Sequence, residues 1–312
     1  METPRTLTEA IRVYADLDLC LSLVKQMRWP NGEPECPACM GKKHYWLAKV
    51  KKFKCAACRK QFSVKVGTIF EDSPLSLDKW FIAMWMVANC RNGISSYEIA
   101  RTLGITQKSA WFMLHRIRLV MQDDFGGGKL SGEVEVDETF IGGKARNMHA
   151  KKRKIASGRR HNGKTVVMGM VERGGNVRAE VIQDRNKPIL HAQVEKHVEE
   201  GSNVFTDELI SYWGLEKKFV HEVVNHAMRY VDGNVHTNTL ENFWSLLKRG
   251  LSGTYVSVEP FHLFRYIDEQ AFRFNNRKDS DSGRFRKLLK KVVGKRLTFA
   301  EVTGRGLETA SA

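Results

Sequence analysis

Two Cys-x-x-Cys pairs constrain this chain more than any other feature. Cys36 and Cys39 form one pair and Cys55 and Cys58 the other, with fifteen residues between them. Each pair brings two sulfurs within reach of a single ion. Two such turns complete a tetrahedron with no open position, so a zinc ion here would be structural and not catalytic. A disulfide pair or a redox dithiol are the other readings, and the doubling of the motif speaks against both. Between and after the pairs, Tyr45, Trp46, Phe53 and Phe62 fit short strands over a small core. Lys42, Lys43, Lys49, Lys51, Lys52, Lys54, Arg59 and Lys60 tilt the ribbon towards phosphate, although many such ribbons bind proteins. Cys20 and Cys90 stand alone in apolar helical stretches and read as buried thiols of a reducing compartment.

The rest of the chain divides by texture. Its 312 residues suggest two or three domains. Residues 1–74 read as an N-terminal helix or two followed by the ribbon, and residues 75–125 as helical. Gly126, Gly127 and Gly128 then break the chain. Residues 130–278 read as an α/β region, and residues 279–312 as a basic tail with a short helix and a loose end. Fifty-one Lys and Arg against 35 Asp and Glu leave a net charge of +16, which favours a polyanionic partner. No apolar run of membrane-spanning length occurs, and the opening METPRTLTEA lacks a signal-peptide core. A cytoplasmic protein that binds double-stranded DNA, with no membrane partner, is the expectation.

Residues 96–121 carry a helix-turn-helix pattern. Ser96 can cap the first helix, Gly104 allows the turn, and Thr106 can cap the second. Ala110, Met113, Leu114 and Ile117 would then face inward. Gln107, Lys108 and Trp111 would reach base edges or phosphates, and His115, Arg116 and Arg118 would extend a basic flank, with Arg118 a DNA contact. An ordinary helical hairpin with a solvated charged face is the alternative.

Three acids in the α/β region point to phosphodiester chemistry. In the run VEVDETFI, Val134, Val136 and Phe140 alternate onto one sheet face and Asp137 falls on the other. Strands over 165–171 and 176–183, a helix near 187–200 and a short strand over 203–206 follow. Asp207 thus falls at a strand end, where it can meet an acid from a neighbouring strand. Further on, Asn238, Glu241, Ser245 and Lys248 form a polar helical stripe opposite Leu240, Phe243, Trp244, Leu247 and Leu251. Such a helix can bury its apolar face on the sheet and present Glu241 at the edge beside the aspartates. Three carboxylates on a basic protein suit a two-metal site in which Mg²⁺ or Mn²⁺ activates the attacking oxygen and stabilises the leaving one. Lys248, two turns beyond Glu241, and Asn238 are expected to hold DNA close by. The basic insertion of Lys144, Arg146, Lys151, Lys152, Arg153, Lys154, Arg159 and Arg160 would lie along DNA, or else form a solvated loop.

The stretches VDETFIGGK, VFTDELISYW, HTNTLENFWSLLKRGLSGTY and LFRYIDEQAFRFNNR resemble insertion-sequence transposases of the IS1595 group, ISXO2-like type. The order of ribbon, helix-turn-helix and acidic domain resembles that group as well. The resemblance implies a multidomain α/β protein with an RNase H-like mixed-sheet catalytic domain. It implies a DDE triad of Asp137, Asp207 and Glu241, with 33 residues between the last two and Lys248 as the basic residue that follows. It further implies hydrolysis at transposon terminal repeats to expose 3′-hydroxyls and joining of those ends to target DNA, by a dimer or larger assembly. A DNA-binding regulator and a nuclease that cuts without joining are the rival functions. Tyr212, Tyr230 and Tyr255 read as packing residues, not nucleophiles.

Overall fold

The structure is a computed structural model that describes residues 4–122, 128–143, 149–158, 160–224 and 236–304. They form two compact units. One contains the described residues up to Gln122 and from Lys278 onward, and the other those from Gly128 to Arg277. Among the described residues no helix is long and apolar enough to cross a membrane.

In the first unit, helices α1 (Leu7–Tyr14) and α2 (Leu17–Arg28) precede an antiparallel ribbon of β1 (His44–Leu47), β2 (Lys52–Cys55) and β3 (Gln61–Phe62). Phe53 stacks on Phe62 at 5.4 Å and meets Trp29 edge-on at 5.9 Å, which closes the small core beneath the strands. Then follow α3 (Leu77–Asn89), α4 (Ser96–Leu103) and α5 (Gln107–Met121). Helix α3 is apolar nearly all round and is buried accordingly, from Leu77 to Ala88. The α4–α5 turn forms as the sequence predicts at Gly104, which caps α4 at φ 59°, and at Thr106, whose hydroxyl accepts the Ser109 N–H. The cap of α4 lies one residue earlier than expected. Ser95, not Ser96, forms a capping box with Glu98.

The second unit holds β4 (Glu133–Ile141), α6 (Ala150–Ser157), β5 (Thr165–Glu172), β6 (Val177–Ile182), α7 (Lys187–His197), β7 (Asn203–Thr206), β8 (Val220–Val223), α8 (Asn238–Arg249) and α9 (Leu263–Asn275). The sheet order is β6-β5-β4-β7-β8. The first three pair antiparallel, whereas β7 runs parallel to β4 and β8 parallel to β7. This is the RNase H-like mixed sheet. On one face Val134, Val136, Met168 and Met170 pack against Leu190 and Val194 of α7. On the other, Val167, Val171 and Val177 pack against Leu240, Phe243, Trp244 and Leu247 of α8 and Ile267 of α9. The edge strand β8 was not anticipated, because its four residues show no alternation.

After α9 the chain returns to the first unit, where α10 (Asp281–Lys290) and α11 (Phe299–Thr303) complete it. The expected short helix of the tail forms as α10, and the segment adds core residues as far as Val302. Residues 305–312, where the loose end was expected, lie outside the described residues. Phe285 of α10 sits against Tyr14, Phe81 and Trp85 at 4.9–5.7 Å. The packing around α5 corrects one expected DNA contact. Helices α3, α4 and α11 all pack on α5, so its second half has no solvated flank. Arg118 is only 1% exposed, and His115 and Arg116 are buried with it. The Arg116 guanidinium donates to the carbonyls of Ile69 and Leu297, both at 2.9 Å, and so ties the returning segment to α5.

Candidate active site

The α8 stripe and the β4 alternation dictate how the acids approach each other. On β4, Glu135, Asp137 and Thr139 face α8, while Val134, Val136, Glu138 and Phe140 face α7. The parallel ladder pairs Glu133 with Asn203, Val134 with Val204 and Glu135 with Phe205. Carried two residues further, that register sets Asp137 beside Asp207, just past the end of β7. Oxygens of Asp137, Asp207 and Glu138 all lie within 4.8 Å of one another. Glu138 joins them although its side chain starts from the opposite face, where its carboxylate accepts the buried Tyr212 hydroxyl.

Each acid is held by a donor. Asp137 accepts the Trp244 indole N–H at 2.9 Å and the Glu138 backbone N–H at 2.8 Å. Asp207 accepts the Leu209 N–H at 3.1 Å. Burial pushes the Asp137 carboxyl up to about 6, with the Trp244 hydrogen bond opposing the shift and the charges of Asp207 and Glu241 adding to it. Burial pushes Glu138 up to about 7, opposed by the Tyr212 hydrogen bond and reinforced by Asp207 and Asp137. Acids crowded together and away from water resist ionisation until a cation compensates them.

Glu241 is not part of that cluster. It stands exposed on the first turn of α8, three residues before Trp244, near enough for its charge to bear on Asp137. Asn238, Ser245 and Lys248 are exposed along the same helix, opposite the buried Leu240, Phe243, Trp244 and Leu247.

The sequence reading missed Glu135, which fixes where α8 begins. Its side chain is 0% exposed. It accepts from Arg173 Nε, Thr239 Oγ1 and the Leu240 backbone N–H, all at 3.0 Å, and has His236 Nδ1 at 3.3 Å. The Thr239 and Leu240 donors both belong to the first turn of α8, and the Leu240 N–H is one of the backbone donors that a helix leaves orphaned at its start, so a strand carboxylate caps the helix there. Arg173 also reaches Glu133 at 3.2 Å and the His236 carbonyl at 2.7 Å. The available signal was parity, because Glu135 precedes Asp137 by two on the same strand face. Trp244 was legible as apolar but not as the donor to Asp137. Gly169, opposite Asp137 on β5, makes room for it. A Cβ there would lie 2.6 Å from the Trp244 ring.

The ribbon end of the protein has its own geometry. Cys36 and Cys58 sulfurs are 3.6 Å apart, as are those of Cys39 and Cys55, and all four fall within 4.8 Å. Four ligands at the usual Zn–S length would stand about 3.8 Å apart, whereas a disulfide would need about 2 Å. The two knuckles repeat one hydrogen-bond pattern. Cys36 N–H donates to Gly41 and Cys55 N–H to Lys60, and Met40 and Arg59 take positive φ at 58° and 59°. The donor set fits structural zinc.

On α5, Lys108 is exposed with its ammonium 5.2 Å from the Phe299 ring, and Gln107 donates to Ser96 Oγ at 2.8 Å. Trp111 is half-buried with its ring 4.4 Å from that of His115. Lys151, Arg153 and Lys154 are exposed on α6. The side chains of Lys152 and Arg160, together with Lys144, Arg146, Arg159 and Tyr230, lie outside the described residues.

Comparison with known families matches residues 129–275 to the ISXO2-like transposase domain and residues 18–61 to the transposase zinc-ribbon domain. The chain is also similar to a Halobacterium salinarum protein described as an uncharacterized protein in transposable element ISH50. The two are 26% identical over 256 residues, covering 78% of this chain and 85% of the relative.

Proposed function

We propose that this chain, which carries both the transposase domain and the zinc ribbon of the IS1595-group insertion-sequence transposases, cleaves phosphodiesters at the ends of its element and joins the freed 3′-hydroxyls to target DNA. The observation that carries this reading is the meeting of Asp137 and Asp207 at adjacent strand ends of an RNase H-like sheet. Asp137 and Asp207 would hold Mg²⁺ or Mn²⁺, with Glu241 of α8 as the third acid of the set. Two such ions, when bound, would supply an activated water and a stabilised leaving oxygen. The chain's own contribution is positional. Trp244 aims one Asp137 oxygen, Glu135 seats α8, and Lys248 holds the DNA backbone two turns beyond Glu241. Gln107, Lys108 and Trp111 of α5, Lys151, Lys152 and Arg153 of α6, and Asn238 of α8 contact DNA. Two transposon ends must be held together, so the DNA-bound form is at least a dimer.

The test is strand cleavage and strand transfer on a duplex carrying the element's own terminus, with Mg²⁺ or with EDTA, beside Glu241→Gln. Metal-dependent cutting and joining by the unaltered chain, lost in the variant, is the expected result. Tight binding without chemistry would indicate a regulator, and cutting without joining a nuclease.

The raised carboxyls add a pH prediction. In the metal-free fold, Asp137 and Glu138 hold protons more tightly than in the unfolded chain, where such groups titrate near about 4. Their contribution to stability is therefore fully present at low pH and is lost as pH rises through about 6 and about 7. Metal binding needs the ionised forms. The rise in melting temperature on adding Mg²⁺ should accordingly be larger at about pH 8 than at about pH 5. An equal rise at both would show that these acids do not receive the ion.

A further inference from the structure

Helix α8 does not end in an ordinary cap. It continues into a six-residue π-helical stretch, Gly250–Tyr255, and the chain then reverses at Val256. Val256 has φ 61° and ψ −52°, and the Ser257 N–H closes on the Tyr255 carbonyl at 2.6 Å. This is a γ-turn of the rare positive-φ hand, which is strained for any residue with a Cβ and more so for a β-branched one. Glycine would serve such a turn at no steric cost. Nor does packing explain the valine, because its side chain is 78% exposed.

The stem beneath the turn is rigid. The Tyr255 hydroxyl is bonded to buried Glu269, which also receives Arg273, and the Tyr255 ring packs edge-on against Tyr266 at 4.7 Å. Two further large apolar side chains follow within nine residues of Val256. Phe261 is 47% exposed, and Phe264, on the first turn of α9, is 39% exposed. On the other side, α8 closes with the exposed Lys248 and Arg249. Strained backbone that a buried network holds in place, with an apolar tip in water beside cations, is an arrangement that acts on something outside the chain.

We propose that Val256 is a wedge that enters the base stack of the DNA end being processed, with Lys248 and Arg249 on the flanking phosphates. Apolar side chains inserted at base steps unstack them, and the positive flank supplies the attraction that a polyanion requires. The preceding helix carries Glu241 on its first turn, roughly 20 Å back along the axis. The wedge therefore unstacks a step about six base pairs from the bond at the acidic site and bends the duplex towards that site. This inference rests on the function proposed above.

The test uses the full chain and a set of terminal duplexes with 2-aminopurine at successive steps, out to about seven base pairs from the cleaved bond on either side. Ca²⁺ first holds the complex uncut, and Mg²⁺ then starts cleavage. The unaltered chain should raise 2-aminopurine fluorescence. Val256→Gly should melt no lower than the parent, because glycine relieves the turn, yet lose the fluorescence rise and cleave about tenfold more slowly or worse. Val256→Leu should retain both. If Val256→Gly unstacks and cleaves like the parent, the wedge is wrong while the transposase reading stands. If Val256→Gly changes only the oligomeric state, the tip is a contact between copies and the wedge is again wrong. If the unaltered chain shows no metal-dependent cleavage, the function falls and the wedge with it.

Discussion

If the proposed function holds, Asp137→Asn is expected to lower metal-dependent strand cleavage by about a thousandfold or more, since it would remove a carboxylate ligand from ions worth several kcal/mol of transition-state stabilisation. DNA binding should persist. The fold should persist too, because the asparagine oxygen can still accept the Trp244 N–H that now ends on Asp137 Oδ2 at 2.9 Å. Stability makes the prediction sharper. Burial raises the Asp137 carboxyl to about 6, so above that pH the metal-free protein carries an ionised acid that its surroundings disfavour. At about pH 8 the variant should therefore melt at or above the parent without metal, and gain less than the parent from Mg²⁺. Cleavage and transfer assays beside melting curves check both halves. Strand transfer at the parent rate would remove Asp137 from the metal site.

Glu135→Ala should have the largest effect on stability, roughly 3–5 kcal/mol, as expected when one partner of a buried ion pair is deleted. Arg173 would keep Glu133 and the His236 carbonyl but lose its buried carboxylate, while Thr239 and the Leu240 N–H would lose their acceptor. Glu135→Gln retains an acceptor of the same shape and should cost less, although the charge opposite Arg173 is gone. Denaturant unfolding measures the loss, and amide exchange at Leu240 tests its cause. Faster exchange at Leu240 in both variants is expected, because that N–H is the one seated on the carboxylate. Unchanged exchange would mean that α8 is held by its apolar face alone.

Much of this architecture could be read locally. Ligand spacing in the two knuckles states a tetrahedral site whatever surrounds it, and the structure brings those four sulfurs together. Period-two alternation in VEVDETFI assigns faces on β4, and the stripe over 238–251 assigns faces on α8, because side-chain direction follows from backbone geometry alone. The same reasoning places Asp207 at a strand end. It could not place α11, which is short and owes its position to α5.

What the tertiary structure decided is what each face meets. Strand register sets Asp137 beside Asp207, and that pairing joins residues distant in the chain. Glu138 has the wrong parity for Asp137's face. It enters the cluster because the site lies at the end of the adjoining strand, where the two faces are no longer separated by a neighbouring backbone. Arg118 has the composition of a DNA contact and lies in the core of a unit in which α3, α4 and α11 all pack on α5. Periodicity reports the direction of a side chain relative to its own helix or strand. Burial, hydrogen-bond partners and pKa depend on what long-range packing brings against it, and no local pattern carries that information.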